Sequence, residues 1–303
     1  MKNSFEIVKF RKFSFAFSAF LVGISIVLLA VYGLKPGIDF TGGSLVEFEF
    51  QGDRPSNQEL VEVLQDYKSV VVQPVDEKGV LIKMQFINEE EHKDTLSKIR
   101  ENFETEDNRI LEQRFETIGP VISTQLKNRS IYIILTVIVT IVLYVAYAFR
   151  KVSRPVQSWK YGISAIIALV HDVVITFGTF AILGKFLGVE VDIAFVVALM
   201  TILGYSVNDT IVVFDRVREN LIKKGSDKFV EAINEGVSQT VARSINTSLT
   251  TLLVLIALFL FGGDSIHYFS LALIVGIVAG TYSSIFLAAP LLATWQDISN
   301  RKR

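Results

Sequence analysis

Residues 191–214 read VDIAFVVALMTILGYSVNDTIVVF, an apolar run broken by Asn208-Asp209-Thr210. A helix needs about 20 predominantly apolar residues to cross a bilayer, and this stretch is long enough. A carboxylate inside such a span is costly to desolvate and marks a functional position by default. Gly204 and Asn208 are one turn apart and share a face. A glycine there is expected to let a neighbouring helix approach closely. Asp209 sits about 7–8 Å from the Phe214 end of the span, at 1.5 Å per residue.

Five more stretches have the same character: Phe13–Tyr32, Ser130–Phe149, Tyr161–Leu183, Thr247–Gly262 and Tyr268–Trp295. Thr247–Gly262 is short, and the fifth span is extended back to begin at Arg243. The expected class is an α-helical integral membrane protein with six transmembrane helices. Composition agrees, since half of the 303 residues are hydrophobic and only 20% are charged. A net charge of −1 lacks the basic excess of a nucleic-acid binder. The absence of cysteine removes disulfides, zinc–thiolate and iron–sulfur sites and thiol nucleophiles. Neither G-x-x-x-x-G-K-[ST] nor H-E-x-x-H occurs. No cofactor, no metal and no enzymatic activity are expected.

The first span follows the basic residues Lys2, Lys9, Arg11 and Lys12. Its apolar run exceeds a signal-peptide core and no clear A-x-A site follows, so it reads as an uncleaved anchor. Further Lys and Arg gather at Arg150, Lys151, Arg154 and Lys160, from Arg216 to Arg243, and at Arg301, Lys302 and Arg303. The loops Gly184–Glu190 and Gly263–His267 carry only Lys185. The positive-inside rule then places both termini in the cytoplasm. Residues 1–34 form the N-terminal tail and first span, 35–129 an extracytoplasmic domain, and 130–303 the remaining spans with their cytoplasmic loops and tail. The outside region holds 12 Lys+Arg and 19 Asp+Glu, and a segment of that length translocates regardless of charge.

Within it, Leu45–Phe50 alternates as a half-buried strand. Ser56-Asn-Gln-Glu59 is a capping box opening a helix through Leu60, Val63, Leu64 and Tyr67. Ser69–Val75 and Val80–Ile87 read as strands joined by a turn at Asp76–Gly79. Glu89–Phe103 is helical, its acidic first turn suited to the helix dipole, with His92 as a surface histidine. Ile110–Ile118 is a last strand. The order β-α-β-β-α-β predicts a small α+β ferredoxin-like domain.

Span three carries His171-Asp172, with Thr176 and Thr179 following at helical spacing. Arg243 opens the helix returning from span four, in line with Thr247 and Thr250. An Asp209–Arg243 pair is geometrically possible, because a long arginine side chain can reach along the span. Two readings stay open: a static structural pair, or a carboxyl that binds and releases a proton as the arginine moves. Asn208, Thr210, Asn246 and Thr247 can hydrogen-bond either form. His171 and Asp172 read either as structural or as an extension of a water-lined proton path. The segment Lys223–Val241, with Phe229, Ile233 and Val237 at four-residue steps, reads as an interfacial amphipathic helix or a docking surface. The adjacent Gly42 and Gly43, with Asp39 and Phe40, read as a compact joint between the first span and the first strand.

These residues together resemble the SecD/SecF family of bacterial protein-export membrane proteins, within the resistance–nodulation–division superfamily. The resemblance rests on Gly37-Ile-Asp-Phe-Thr-Gly-Gly43, Gly119-Pro120, Val170-His-Asp172, Gly204-Tyr-Ser-Val-Asn-Asp-Thr210 with Phe214-Asp-Arg216, and Arg243-Ser-Ile-Asn-Thr-Ser248. It covers essentially the whole chain. Val121-Ile122-Ser123 stand where the family often has a further glycine, which weakens any hinge there. The outside region is much smaller than that of SecD, so the similarity is to the smaller of the family's two partners.

The resemblance implies a twelve-span pair with SecD, associated with the SecYEG channel in the bacterial cytoplasmic (inner) membrane. It implies use of the proton gradient to complete export of a preprotein after the ATP-driven motor SecA has begun it. Asp209 and Arg243 match the family's proton-pathway positions. Two other readings remain: half of a proton-coupled small-molecule or lipid exporter of the same superfamily, and a non-transporting membrane scaffold.

Overall fold

The computed structural model describes residues 6–75, 77–148 and 158–301. Lys2, Asp76, Phe149, Arg150, Lys151, Arg154, Lys302 and Arg303 of the charge, turn and span readings lie outside the described residues. The chain divides into two units, Pro36–Ile131 and Met1–Lys35 with Tyr132–Arg303.

In the smaller unit a short helical turn α2 (Ile38–Thr41; α1 is Arg11–Tyr32) leads into β1 (Gly43–Phe50). There follow α3 (Asn57–Val63), β2 (Val71–Pro74), β3 (Gly79–Met84), α4 (Glu89–Phe103) and β4 (Ile110–Ile118). The strand order is β2-β3-β1-β4 with every neighbouring pair antiparallel, the split βαβ arrangement of a ferredoxin-like fold. Val46, Phe48 and Phe50 alternate onto one face, opposite Val80, Ile82 and Met84. Leu60 and Leu64 from the α3 side and Ile99 of α4 close that core.

Local chemistry starts both helices. Ser56 and Glu59 form a reciprocal capping box, and Asn88 and Glu91 form another. The bonds from Ser56 hold the Glu59 carboxyl below its ordinary range. His92 departs from the surface histidine expected. Its ring stacks on Phe115 with centroids 3.7 Å apart, and Nε2 lies 2.9 Å from Glu112 Oε1. β4 brings both partners beneath the first turn of α4, a pairing no local pattern encodes.

The larger unit is helical. Among the described residues six helices are long and apolar enough to cross a membrane: Ile7–Tyr32, Pro120–Ala148, Trp159–Phe186, Ile193–Lys224, Phe229–Phe261 and Ile266–Ile298. They contain α1, α5 (Pro120–Ala148), α6 (Ser158–Phe186), α7 (Ile193–Lys224), α8 (Phe229–Phe261), and α9 (Asp264–Ser283) continued as α10 (Ala289–Arg301). The protein is therefore multi-pass. Packing is uneven. α7, α8 and α9 pack against one another and α6 packs on α1 and α9. Among the described residues α5 lays Val137, Ile141, Val145 and Ala148 on the core.

The interfacial helix expected over Lys223–Val241 is not a separate element. α8 is one helix of 33 residues, and Phe229, Ile233 and Val237 are buried against Val213, Phe214, Val217 and Leu221. No proline breaks the chain between Phe229 and Phe261, and a Cβ at Gly236 would stand only 2.7 Å from Val217. The helix that carries the fifth span thus starts at Phe229, ahead of Arg243, and its amphipathic face packs on α7.

Between α9 and α10 the helix widens into a π segment, Ser284–Ala288. Pro290 follows, which lacks an N–H and whose ring crowds the carbonyl one turn back. A π segment is a common accommodation of such a disturbance.

Candidate functional site: two intramembrane carboxylates

Asp172 is fully buried on α6. Its Oδ2 accepts hydrogen bonds from Ser206 Oγ of α7 at 2.6 Å and Ser283 Oγ of α9 at 2.9 Å. Its Oδ1 lies 2.9 Å from His171 Nδ1. Three side chains from three helices thus share one carboxylate. The close approach that allows this lies at Gly280, where a Cβ would stand 3.0 Å from Ser206 and 3.4 Å from Asp172 Oδ2. Gly204, expected to play that part, is exposed and has nothing within 4 Å of a Cβ. α9 approaches the Ser206 face of α7, and Gly204 lies on another.

His171 is buried, and its ring stacks on Tyr282 at 5.9 Å between centroids. Its Nε2 has no hydrogen-bond partner among the described residues. Thr176 and Thr179 bond the carbonyls of Asp172 and Ile175 on their own helix, so they satisfy themselves and do not reach Asp172's carboxylate.

Asp209, one turn below Ser206 on α7, has a different environment. Its Oδ1 accepts from Ser244 Oγ of α8 at 2.5 Å, while its Oδ2 is buried with no hydrogen-bond partner among the described residues. Arg243 is the neighbour of that serine, yet its guanidinium hydrogen-bonds neither oxygen among the described residues. It is exposed, bordering a cavity of about 280 Å³ with Asp215, Arg216, Arg218 and Glu219. Consecutive residues point about 100° apart on a helix, so when Ser244 faces Asp209 its neighbour turns aside. Thr210 Oγ1 and Ser284 Oγ lie 2.8 Å apart, tying α7 to the π segment.

Asn208, Arg243, Asn246, Thr247 and Thr250 are all exposed. Thr247 and Thr250 donate to the Arg243 and Thr247 carbonyls of their own helix. A polar strip on the membrane-crossing helices α7 and α8 therefore lies exposed, beside Asp209.

In the smaller unit Gly42 has φ +73° and Gly43 φ +131°, values that side-chain-bearing residues rarely adopt. A Cβ on Gly43 would meet the Met84 carbonyl at 2.7 Å, and one on Gly42 would meet Ser123 Oγ at 3.1 Å. Asp39 and Phe40 lie in the turn α2, which ends at Gly42.

Residues 98–298 match the model of the protein export membrane protein SecD/SecF C-terminal family, and residues 27–53 match the SecD/SecF GG motif. The chain belongs to the SecD/SecF family. It is 39% identical to a protein translocase subunit SecF from Thermobaculum terrenum, over 96% of this chain and 94% of that one. It is 37% identical to one from Haemophilus influenzae, over 98% and 87%. Among solved structures it is similar to SecDF, a translocon-associated membrane protein from Thermus thermophilus, with a TM-score of 0.82 at 30% identity. That match covers 98% of this chain but only 39% of the longer SecDF chain.

Sequence reasoning missed Ser283 and Ser284 as partners of α6 and α7. Signals for them were present: Gly276 and Gly280 four apart, the serine pair beyond them, and Pro290 inside an apolar run.

Proposed function

We propose that this member of a protein-export family is the proton-coupled SecF-type subunit of the Sec translocase. It pairs with a homologous six-span SecD-type subunit, and Asp209 is the group that takes up and releases the proton. The observation that carries this reading is the bare polar strip of Asn208, Arg243, Asn246, Thr247 and Thr250 next to Asp209's unpartnered oxygen. Lipid cannot hydrogen-bond such groups, and polar residues within spans face protein or a water-filled path. A second subunit laid on that strip would enclose it. The SecDF chain, of which this chain matches 39%, supports a partner in the same assembly.

Arg243 lies at the end of the strip, free to swing toward Asp209 or away. An approaching guanidinium favours the ionised carboxyl, and withdrawal in a dry environment favours the neutral one. Each charge crossing the membrane releases about 2.3 kcal/mol per 100 mV, enough to bias a two-state element by more than tenfold. The reading places both termini in the cytoplasm of a bacterium and the smaller unit outside its inner membrane. There the pair would act with SecYEG on a preprotein late in export, after SecA. His171 and Asp172 stand as the structural brace of the pathway.

The test is export into inverted vesicles with and without a proton gradient, normalised to assembled complex. Asp209→Asn keeps the shape and removes the titration. It is expected to assemble normally and to lose all stimulation by the gradient. A full gradient response from this variant would overturn the proton role of Asp209.

A further inference from the structure

The face of α8 opposite the polar strip also has an unusual composition. Val230, Asn234, Ser238, Val241, Ile245 and Leu249 recur at three- and four-residue steps and so form one stripe. At 100° per residue, Ile245 points about 200° from Arg243 and Leu249 about 200° from Thr247. The stripe begins at a recess of about 440 Å³, bordered by Val230 and Asn234 with Lys9, Arg11 and Lys12 of the first span. Glu6 and Asp297 border it too. It continues into an apolar cavity of about 700 Å³ between α8 and α9, with Val278, Tyr282 and Phe286 as the far wall. The N-terminal segment is fixed at this mouth, because the Val8 N–H donates to Asn234 Oδ1. On the other side of Tyr282 and Phe286, exposed Phe10, Phe13 and Phe17 line a further apolar recess of about 430 Å³.

The charges at the mouth are only partly engaged. Arg11 pairs with Asp297 at 2.7 Å. Lys9 lies 3.5 Å from Glu6, and both side chains are mostly exposed. Lys12 is exposed and makes no ion pair among the described residues.

We propose that this groove holds an anionic phospholipid, its phosphate between Lys9 and Lys12 and one acyl chain along the α8 stripe. The geometry fits one leaflet. Ser238 to Leu252 spans about 21 Å along the helix, against about 15 Å for half of the hydrocarbon core. The cavity falls within the 300–1,000 Å³ or so common for ligand sites. A basic recess at the headgroup level of a membrane-embedded apolar groove is the arrangement that selects anionic lipids. A partner helix suits it less, since a spanning helix needs an apolar groove through both leaflets, and this one ends in cationic side chains. The groove also faces away from the strip assigned above to a partner subunit, and it rests on separate residues.

The test is native mass spectrometry of the full-length chain in detergent, alone and co-purified with its SecD-type partner, with added phosphatidylglycerol or phosphatidylcholine. Phosphatidylglycerol should be retained in preference to phosphatidylcholine in both samples. Lys9→Gln with Lys12→Gln should cut that preference by about fivefold per lysine, while leaving the fold intact because both side chains are exposed. Ile245→Trp, which fills the cavity, should reduce retention of both lipids. Equal retention of the two lipids, or a preference untouched by the lysine variant, would overturn the proposal. Displacement of the lipid by inorganic phosphate alone would reassign the recess as a free-phosphate site. Lipid bound to the isolated chain but absent from the complex would mean that a partner helix occupies the groove.

Discussion

Asp172 and Asp209 are both aspartates within neighbouring spans, yet their surroundings differ. Asp172 is enclosed, and both its oxygens are bound by side chains of α6, α7 and α9. Asp209 accepts one hydrogen bond, from Ser244, with the Ser284 hydroxyl close by, its other buried oxygen makes no hydrogen bond among the described residues, and it borders an exposed polar strip. A satisfied buried network holds helices in one arrangement, whereas an unsatisfied acceptor is poised for a new partner. Burial alone does not separate the two carboxylates. In the function proposed above, the oxygen left open at Asp209 is what separates them.

The sharpest way to break this contrast is to neutralise each carboxyl in turn. Asp209→Asn should remove the whole gradient-dependent component of export, and Asp172→Asn should leave a response per assembled complex, both read in inverted vesicles. If the two variants lose the gradient response equally, the carboxylates do not have separate roles.

Stability should divide the other way. Asp172→Ala strands Ser206 and Ser283 and opens a cavity, at a cost of about 2–4 kcal/mol in thermal unfolding in detergent. Asp209→Ala loses the Ser244 bond and the weaker approach of Ser284, and should cost about 1 kcal/mol. Gly280→Val probes the same brace from the opposite helix. Its added carbons meet Ser206 and the Asp172 carboxylate, so about 1–3 kcal/mol should be lost, while Gly204→Val, with open space around it, should cost well below that. The smallest effect on the chain alone belongs to the strip. Asn208→Ala with Thr247→Ala should shift its unfolding by less than about 0.5 kcal/mol. The same pair should weaken co-purification with the partner subunit. Undiminished co-purification would place the partner on another face.

Much of the fold was legible because its signals are local. Ser56 with Glu59, the alternation of Val46, Phe48 and Phe50, and the apolar lengths of the spans each rest on residues a few positions apart. Those patterns foretold the order of strands and helices in the smaller unit and the number of spans. The stretch from Phe229 to Val237 was not legible as part of the fifth helix, because Phe229, Ile233 and Val237 make the same pattern whether they face a membrane surface or a neighbouring helix.

The sequence by itself determined that this chain crosses a membrane with carboxylates inside it, and that a small split-βαβ unit is inserted after the first span. Periodicity and hydropathy suffice for that. Only the tertiary structure decided that Asp209 hydrogen-bonds Ser244 and not Arg243, that Gly280 is where α9 closes on Ser206 and Asp172, and that Ser283 reaches Asp172 from more than a hundred residues further along. The reason is rotational. Helix positions differ by 100° per residue, and in a span that is apolar on every side nothing local says which direction faces protein. The choice is made when α6, α7, α8 and α9 pack, and the hydroxyls that end up inside are the ones the carboxylates can use.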